Sequence, residues 1–187
     1  MNALDVIFSV RSVARRLPWL VSLLFLGLAV SGVSRFFEGV VGELPMLVAF
    51  QPLLLGMAGN AGTQSLAVTM RGLVKDEKSR PRMILTEMRI AFLAGLVIGA
   101  LSFFAIWVYL CPILKYSSDF SASAAFCIGV SSTISMTVSG LTGSAIPIIL
   151  CRFGADPAVA SGPLITTVSD LCALICYYSI AWAMMLR

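Results

Sequence analysis

Histidine is absent from this 187-residue chain, which removes imidazole acid–base chemistry and the usual zinc and iron ligand sets. Charge is scarce as well: Asp, Glu, Lys and Arg make up 12% of the residues, against ~25% in an ordinary soluble domain. The five cysteines, at 111, 127, 151, 172 and 176, form neither a C-x-x-C pair nor a regular framework, so neither a thiol metal site nor a disulfide scaffold is implied. Cys172 and Cys176, four apart on an apolar stretch, read as small packing residues on one helix face. These absences exclude a soluble globule, a nucleic-acid binder and a disordered chain. What is abundant is apolar: 59% of residues are hydrophobic and the mean hydropathy is +0.97. The expectation is an all-α polytopic membrane protein, in which the net charge of +4 reports topology and not an anionic partner.

A spanning helix needs ~20 mostly apolar residues. Five segments meet that length, at about 17–37, 44–70, 90–110, 122–150 and 158–185. A short amphipathic lead, Leu4 to Arg16, is expected to lie along the inner surface. The basic run Arg11, Arg15 and Arg16 before the first span, with no small-residue cleavage site after it, reads as a retained signal anchor. With the N-terminus inside, Arg11, Arg15, Arg16, Arg71, Lys75, Lys78, Arg80, Arg82, Arg89 and Arg152 fall on the inner side. Only Arg35, Lys115 and Arg187 fall outside, so the positive-inside rule selects N-in and C-out. The domain division is therefore a lead at 1–16 and one five-helix membrane domain at 17–187, with segments two and five, both interrupted by Pro and Gly, as possible counterparts.

Among nine acidic residues, Asp5, Asp76, Glu77, Glu87 and Asp156 are placed on the inner flank and Glu38, Glu43 and Asp119 on the outer flank. Asp170 alone sits deep in a span. A carboxylate near the bilayer centre costs ~2.5–3.5 kcal/mol on insertion scales, so it should face a polar cavity, a partner or an ion. A protonated acid bonded to a neighbouring helix is the structural alternative. Thr166 and Thr167 lie one turn before it and Gly162 and Pro163 about two turns before, on the same side. Proline supplies no N–H and crowds the preceding turn, which leaves carbonyl oxygens free to meet a cation.

The second segment carries Gly56, Gly59 and Gly62 at every third position, a strip that another backbone or an ion's hydration shell could approach. Close helix packing explains the glycines equally well. Asn60, Thr63 and Gln64 in the same span add three neutral polar groups that need partners, and a water-lined path supplies them. The hydroxyl-rich fourth segment, Ser131 to Ser144, reads more simply as helix packing, with hydroxyls bonded to their own i−4 carbonyls. Oxygen donors without His or a thiol pattern favour a hard cation. One carboxylate with carbonyls and amides suits magnesium held through its waters, and manganese, cobalt and calcium share the same preference.

Pro52-Leu-Leu-Leu-Gly56-Met-Ala-Gly59-Asn60-Ala-Gly62-Thr-Gln64-Ser65 and Asp156-Pro157-Ala-Val-Ala-Ser161-Gly162-Pro163-Leu-Ile-Thr166-Thr167-Val-Ser-Asp170, with Phe37-Glu38-Gly39 and Arg71-Gly72, resemble the membrane domain of the MgtE family of magnesium channels. The likeness covers nearly the whole chain. It implies a homodimer in the inner cell membrane with its pore on the two-fold axis, lined by the second and fifth spans. Carried over by position, Asp170 matches the essential pore carboxylate, with the Thr166 carbonyl beside it. Gly56 and Gly59 match close-approach glycines, and Thr63 and Gly162 fall on pore-facing positions where many members, at Thr63, and some, at Gly162, carry Asn. Metal contacts are thus expected at Asp170, Thr166, Gly59 and Thr63, and a pore lining at Gly56, Asn60, Gln64, Gly162, Pro163 and Thr167.

Typical members of the family also carry a long cytoplasmic region with paired CBS modules that senses magnesium. About sixteen residues precede the first span here, so the expectation is a truncated or naturally short relative, gated by its membrane domain or by a separate regulatory chain. The function expected is conduction of hydrated Mg2+, with a secondary transporter exchanging a divalent cation for Na+ or H+ as the alternative. An enzyme is not expected, because no span offers a second acid, a Ser/His pair or a metal cage; a symmetric pair of Asp170 side chains is the one arrangement that could mimic an aspartyl dyad.

Overall fold

The computed structural model describes residues 3–75, 80–154 and 162–185. Five long helices run through it: α1 (Ala3–Phe36), α3 (Pro45–Lys75), α4 (Arg80–Val108), α5 (Ser118–Arg152) and α6 (Gly162–Met185), with a short α2 (Glu38–Glu43) between the first two. Three stretches, Pro81–Ile113, Ser118–Arg152 and Gly162–Met185, are long and apolar enough to cross a membrane, and Leu20–Phe36 is a shorter apolar helix. Among the described residues helix is the only regular structure, as expected where backbone groups must be satisfied away from water.

The helices overrun the segments marked by hydropathy. The third predicted segment, 90–110, belongs to a helix that starts at Arg80, and the second, 44–70, to one that continues to Lys75. The predicted lead before residue 17 is continuous with the first helix, without a break. Hydropathy marks where a helix is apolar, whereas backbone hydrogen bonding carries it on through Arg and Lys, which are good helix formers. Positions 158–161 of the fifth predicted segment, and the motif residues Asp156, Pro157 and Ser161, lie outside the described residues.

Local chemistry sets the element ends. Ser117 caps α5 by accepting the Phe120 N–H at 3.4 Å, and the Ser121 hydroxyl donates to the Ser117 carbonyl at 2.8 Å. At the other end Arg152 sits in the last turn, favourably placed for the helix dipole. Gly154 closes the helix at φ 72°, its N–H on the Cys151 carbonyl at 3.1 Å. After α4 the chain makes a π-helical turn, Tyr109–Ile113, containing Pro112. The wider turn, with Leu114 N–H on the Tyr109 carbonyl at 3.1 Å, accommodates a proline that an α-turn would not.

α5 is the central helix, packed against α3, α4 and α6, while α1 rests mainly on α6. Towards the α2 end the contacts are large and apolar. Leu47 and Leu54 of α3, Ile106 and Leu110, Ile128 of α5, and Leu174, Tyr177 and Tyr178 of α6 form one buried cluster. Tyr177 donates to the Leu47 carbonyl at 2.8 Å and Tyr178 to the Gln51 amide oxygen at 2.6 Å, so the polar ends of both rings are satisfied.

Towards the opposite end the helices approach backbone to backbone. A Cβ added at Gly62 would stand 2.8 Å from Ser169 Oγ and 3.0 Å from Ile165 Cγ2, and one at Gly143 would run into the Gly62 backbone. Between α4 and α5, a Cβ at Gly95 would lie 3.0 Å from the Thr133 carbonyl oxygen, and the Thr133 hydroxyl donates to the Gly95 carbonyl at 2.9 Å. Such contacts substitute for hydrophobic association where lipid is as apolar as the helix.

The fourth segment's hydroxyls divide into two groups. Thr133, Thr137 and Ser144 bond their own i−4 carbonyls, at 3.1, 2.7 and 2.9 Å, as expected. Ser132, Ser135 and Ser139 do not: their hydroxyl oxygens are buried without a partner. These three occupy buried positions of the central helix, where a small side chain meets the requirement for volume and the geometry of the seam leaves the hydroxyl unbonded.

Candidate functional site

α3 and α6 meet along glycines, and Asp170 stands at that seam. A Cβ at Gly59 would lie 2.9 Å from Thr166 Cγ2 and 3.9 Å from Asp170 Oδ1. The tight contact is with the Thr166 methyl, and the carboxylate lies just beyond it at ordinary van der Waals distance. Asp170 is half-buried, and its Oδ1 is shielded without a hydrogen-bond partner. Burial of an unmatched carboxylate oxygen is unfavourable, and no described residue donates to it.

The neighbouring hydroxyls are committed as donors. Thr166 donates to the Gly162 carbonyl at 2.8 Å and Thr167 to the Pro163 carbonyl at 2.8 Å. Thr63 shares its proton between the Gly59 and Asn60 carbonyls, both at 3.1 Å. A hydroxyl that gives its proton to the backbone presents only lone pairs to its surroundings, and the seam becomes a row of acceptors around one carboxylate. Gly162 lies beside Thr63, whose Cγ2 a Cβ there would approach to 3.9 Å.

The remaining sequence-predicted positions divide. Gly62 packs tightly, whereas a Cβ at Gly56 would meet nothing within 4 Å. Gly56, Asn60 and Gln64, each four residues apart, are exposed along one stripe of α3, and Pro163 is exposed at the start of α6. The side-chain amides of Asn60 and Gln64 make no hydrogen bond to the described residues. Polar side chains along an otherwise apolar helix point to water or to another protein surface, because lipid would leave them unsatisfied.

Pro163 is the second described residue of α6, and its carbonyl is engaged by the Thr167 hydroxyl.

Sequence reasoning missed Glu87. Assigned to the inner flank, it is only 7% exposed, on the face of α4 turned towards α3 and α5. The signal was present: Glu87, Ala91, Gly95 and Gly99 recur every four residues, the spacing of a single helix face. The three small residues mark a packed seam, and Glu87 lies one turn before them on the same face.

Among the described residues no three of His, Cys, Asp and Glu gather into a metal cage. A lone carboxylate framed by neutral oxygens suits a hard cation that keeps most of its water.

Three stretches long and apolar enough to cross a bilayer, one of them α6 with a carboxylate at its glycine seam with α3, define a helical membrane protein. Residues 51–180 match the family model of MgtE, described as a divalent cation transporter. The chain is 42% identical over 174 residues to the magnesium transporter MgtE of Enterococcus faecalis, covering 91% of this chain and 36% of that protein. Its identity to the magnesium transporter MgtE of Bacillus subtilis is 38% over 172 residues, covering 90% and 36%. To that of Thermus thermophilus it is 32% over 169 residues, covering 89% and 35%. The chain belongs to the MgtE family, and it spans about a third of the length of these curated relatives.

Proposed function

We propose that the chain is a magnesium-conducting membrane domain: two copies meet about a two-fold axis and enclose a water-filled path between their α3 and α6 helices. In this reading all five long helices cross the inner membrane, with the N-terminus inside. Hydrated Mg2+ is drawn to Asp170 and oriented by the Thr166 carbonyl, Thr63 and the backbone at Gly59. Gly56, Asn60, Gln64, Gly162, Pro163 and Thr167 line the approach.

The observation that carries this reading is the unpartnered Asp170 Oδ1 at the Gly59 seam, beside the exposed stripe of Gly56, Asn60 and Gln64. A second copy covers that stripe and supplies a second carboxylate. Two like charges repel, and a divalent ion between them cancels both. Because the site has few charged ligands, it recognises the ion through its water shell, and selectivity follows from the reluctance of Mg2+ to shed that shell. The relatives named above, magnesium transporters, agree with this cargo.

The test is Mg2+ uptake into proteoliposomes. Wild-type flux should follow the Mg2+ gradient and membrane voltage without a Na+ or pH gradient, and Asp170→Asn should lower it at least about tenfold, the factor corresponding to ~1.4 kcal/mol of lost stabilisation. Flux that requires opposing Na+ or H+ movement assigns the chain to exchange, with Asp170 as coupling group. Equal flux through both proteins rejects the site.

A further inference from the structure

On the side of α3 that faces α4 lies a second, separate cavity, largely apolar with three polar residues in its wall. It has a volume of about 150 Å3, and its wall includes Gln64, Ser65 and Val68 of α3, Glu87 and Ala91 of α4, and Met136 of α5. Glu87 is 7% and Ser65 4% exposed. Neither side chain has a hydrogen bond or ion pair with the described residues. Both residues are more than nine-tenths buried, and what exposure they keep is into this cavity.

Among the described side chains of the surrounding helices, none pairs with Glu87. α5 carries no Asp, Glu, Lys or Arg between Phe120 and Cys151. On α4, Arg82 and Arg89 are exposed, and on α3 the exposed Arg71 directs its Nε to the Ala67 carbonyl at 3.1 Å. What faces the cavity besides Glu87 is a hydroxyl and an amide, both oxygen donors. The volume is that of roughly five waters, enough for a small cation with part of its hydration shell.

We infer that Glu87, Ser65 and Gln64 form a second site for a partly hydrated divalent cation. The site stands apart from Asp170. Ser65 is six residues along α3 from Gly59, a rise of roughly 9 Å towards Arg71 at 1.5 Å per residue, and it lies on the α4 side, while Gly59 meets α6. Gln64 belongs both to the cavity wall and to the exposed stripe with Asn60 and Gly56, so the cavity opens onto the face read above as water-filled. The inference rests on that reading for access only; the ligands are independent of Asp170. A cation held here would pass along α3 to or from the Asp170 seam, giving two successive resting points with weak ligation at each, as conduction requires.

Mn2+ is the probe, counted by the electron paramagnetic resonance signal of the free ion with the purified full chain in a neutral maltoside detergent. The experiment compares Asp170→Asn with Asp170→Asn/Glu87→Gln, so that the first site is removed from both. Saturable Mn2+ binding in the former, weakened at least about tenfold in the latter, is the expected result; that factor corresponds to ~1.4 kcal/mol. Absence of saturable binding in Asp170→Asn, or equal binding in the two proteins, overturns the inference. If the double variant does not elute as a single helical species, Asp170→Asn/Ser65→Ala decides: a dissociation constant raised about threefold supports the site, and an unchanged one overturns it. Mg2+ flux through Asp170→Asn tests the proposed function separately, since that readout does not depend on the Mn2+ count.

Discussion

The two ends of the bundle are held together by different means. Near α2, Leu47, Leu54, Leu174, Tyr177 and Tyr178 interlock as in a soluble core, and both tyrosine hydroxyls are bonded. Towards Arg71, Gly62 faces Gly143 and Ser169, and Gly140 faces Ala91 and Glu87, with unbonded hydroxyls and two carboxylates among them. At the first end the polar tips of the two buried rings are used within the chain. The second has small residues, close backbones and unsatisfied oxygens, the combination that lets a hydrated ion approach the main chain. Bulky packing makes one half rigid, and small residues make the other half permissive to charge.

The largest effect should come from removing the small residues of the permissive half. Gly143→Ala drives a methyl into the Gly62 backbone, which cannot move aside as a side chain can. A loss of about 3 kcal/mol is expected, measured by denaturant unfolding in micelles. Gly62→Ala meets side-chain atoms, Ser169 Oγ and Ile165 Cγ2, and should cost clearly less; the reverse order would break the comparison.

In the rigid half, Tyr177→Phe removes one buried bond to the Leu47 carbonyl. A cost of about 1 kcal/mol is expected, with Mg2+ flux retained. Tyr178→Phe, whose partner Gln51 is only partly buried, should cost about 0.6 kcal/mol. Flux lost at either position without a change in stability would show that the two halves do not divide the work as described.

The smallest structural effect is expected at Gly56→Ala, since the added methyl meets nothing within the chain. Stability should stay within about 0.5 kcal/mol of wild type. A fall in Mg2+ flux with stability unchanged would sharpen the comparison, because it would locate the obstruction on the face shared with a second copy.

The five long helices were legible because apolar runs of this length have no other stable form in a bilayer. Asp170 was legible because a carboxylate within a span has an evident cost, whereas the meeting of α3 and α6 was implied only by the family resemblance. α2 was not, since six residues carry too little pattern to distinguish from a turn. Glu87 was not, because its neighbours Arg82 and Arg89 suggested a solvated flank, while its burial arises from α3 and α5, far away in sequence. Ser132, Ser135 and Ser139 were misjudged for a related reason: local back-bonding is the default for a helical serine, and the packed centre of the bundle overrode it.

The central claim is that the exposed face of α3 borders an aqueous path enclosed by a second copy. Asn60→Cys, in a background with the five native cysteines replaced by alanine, tests it directly in proteoliposomes. Modification by a charged, lipid-insoluble thiosulfonate is expected to abolish flux, and millimolar Mg2+ should slow the reaction. Modification only by a lipid-soluble maleimide, with flux intact, would place this face in lipid and contradict the account.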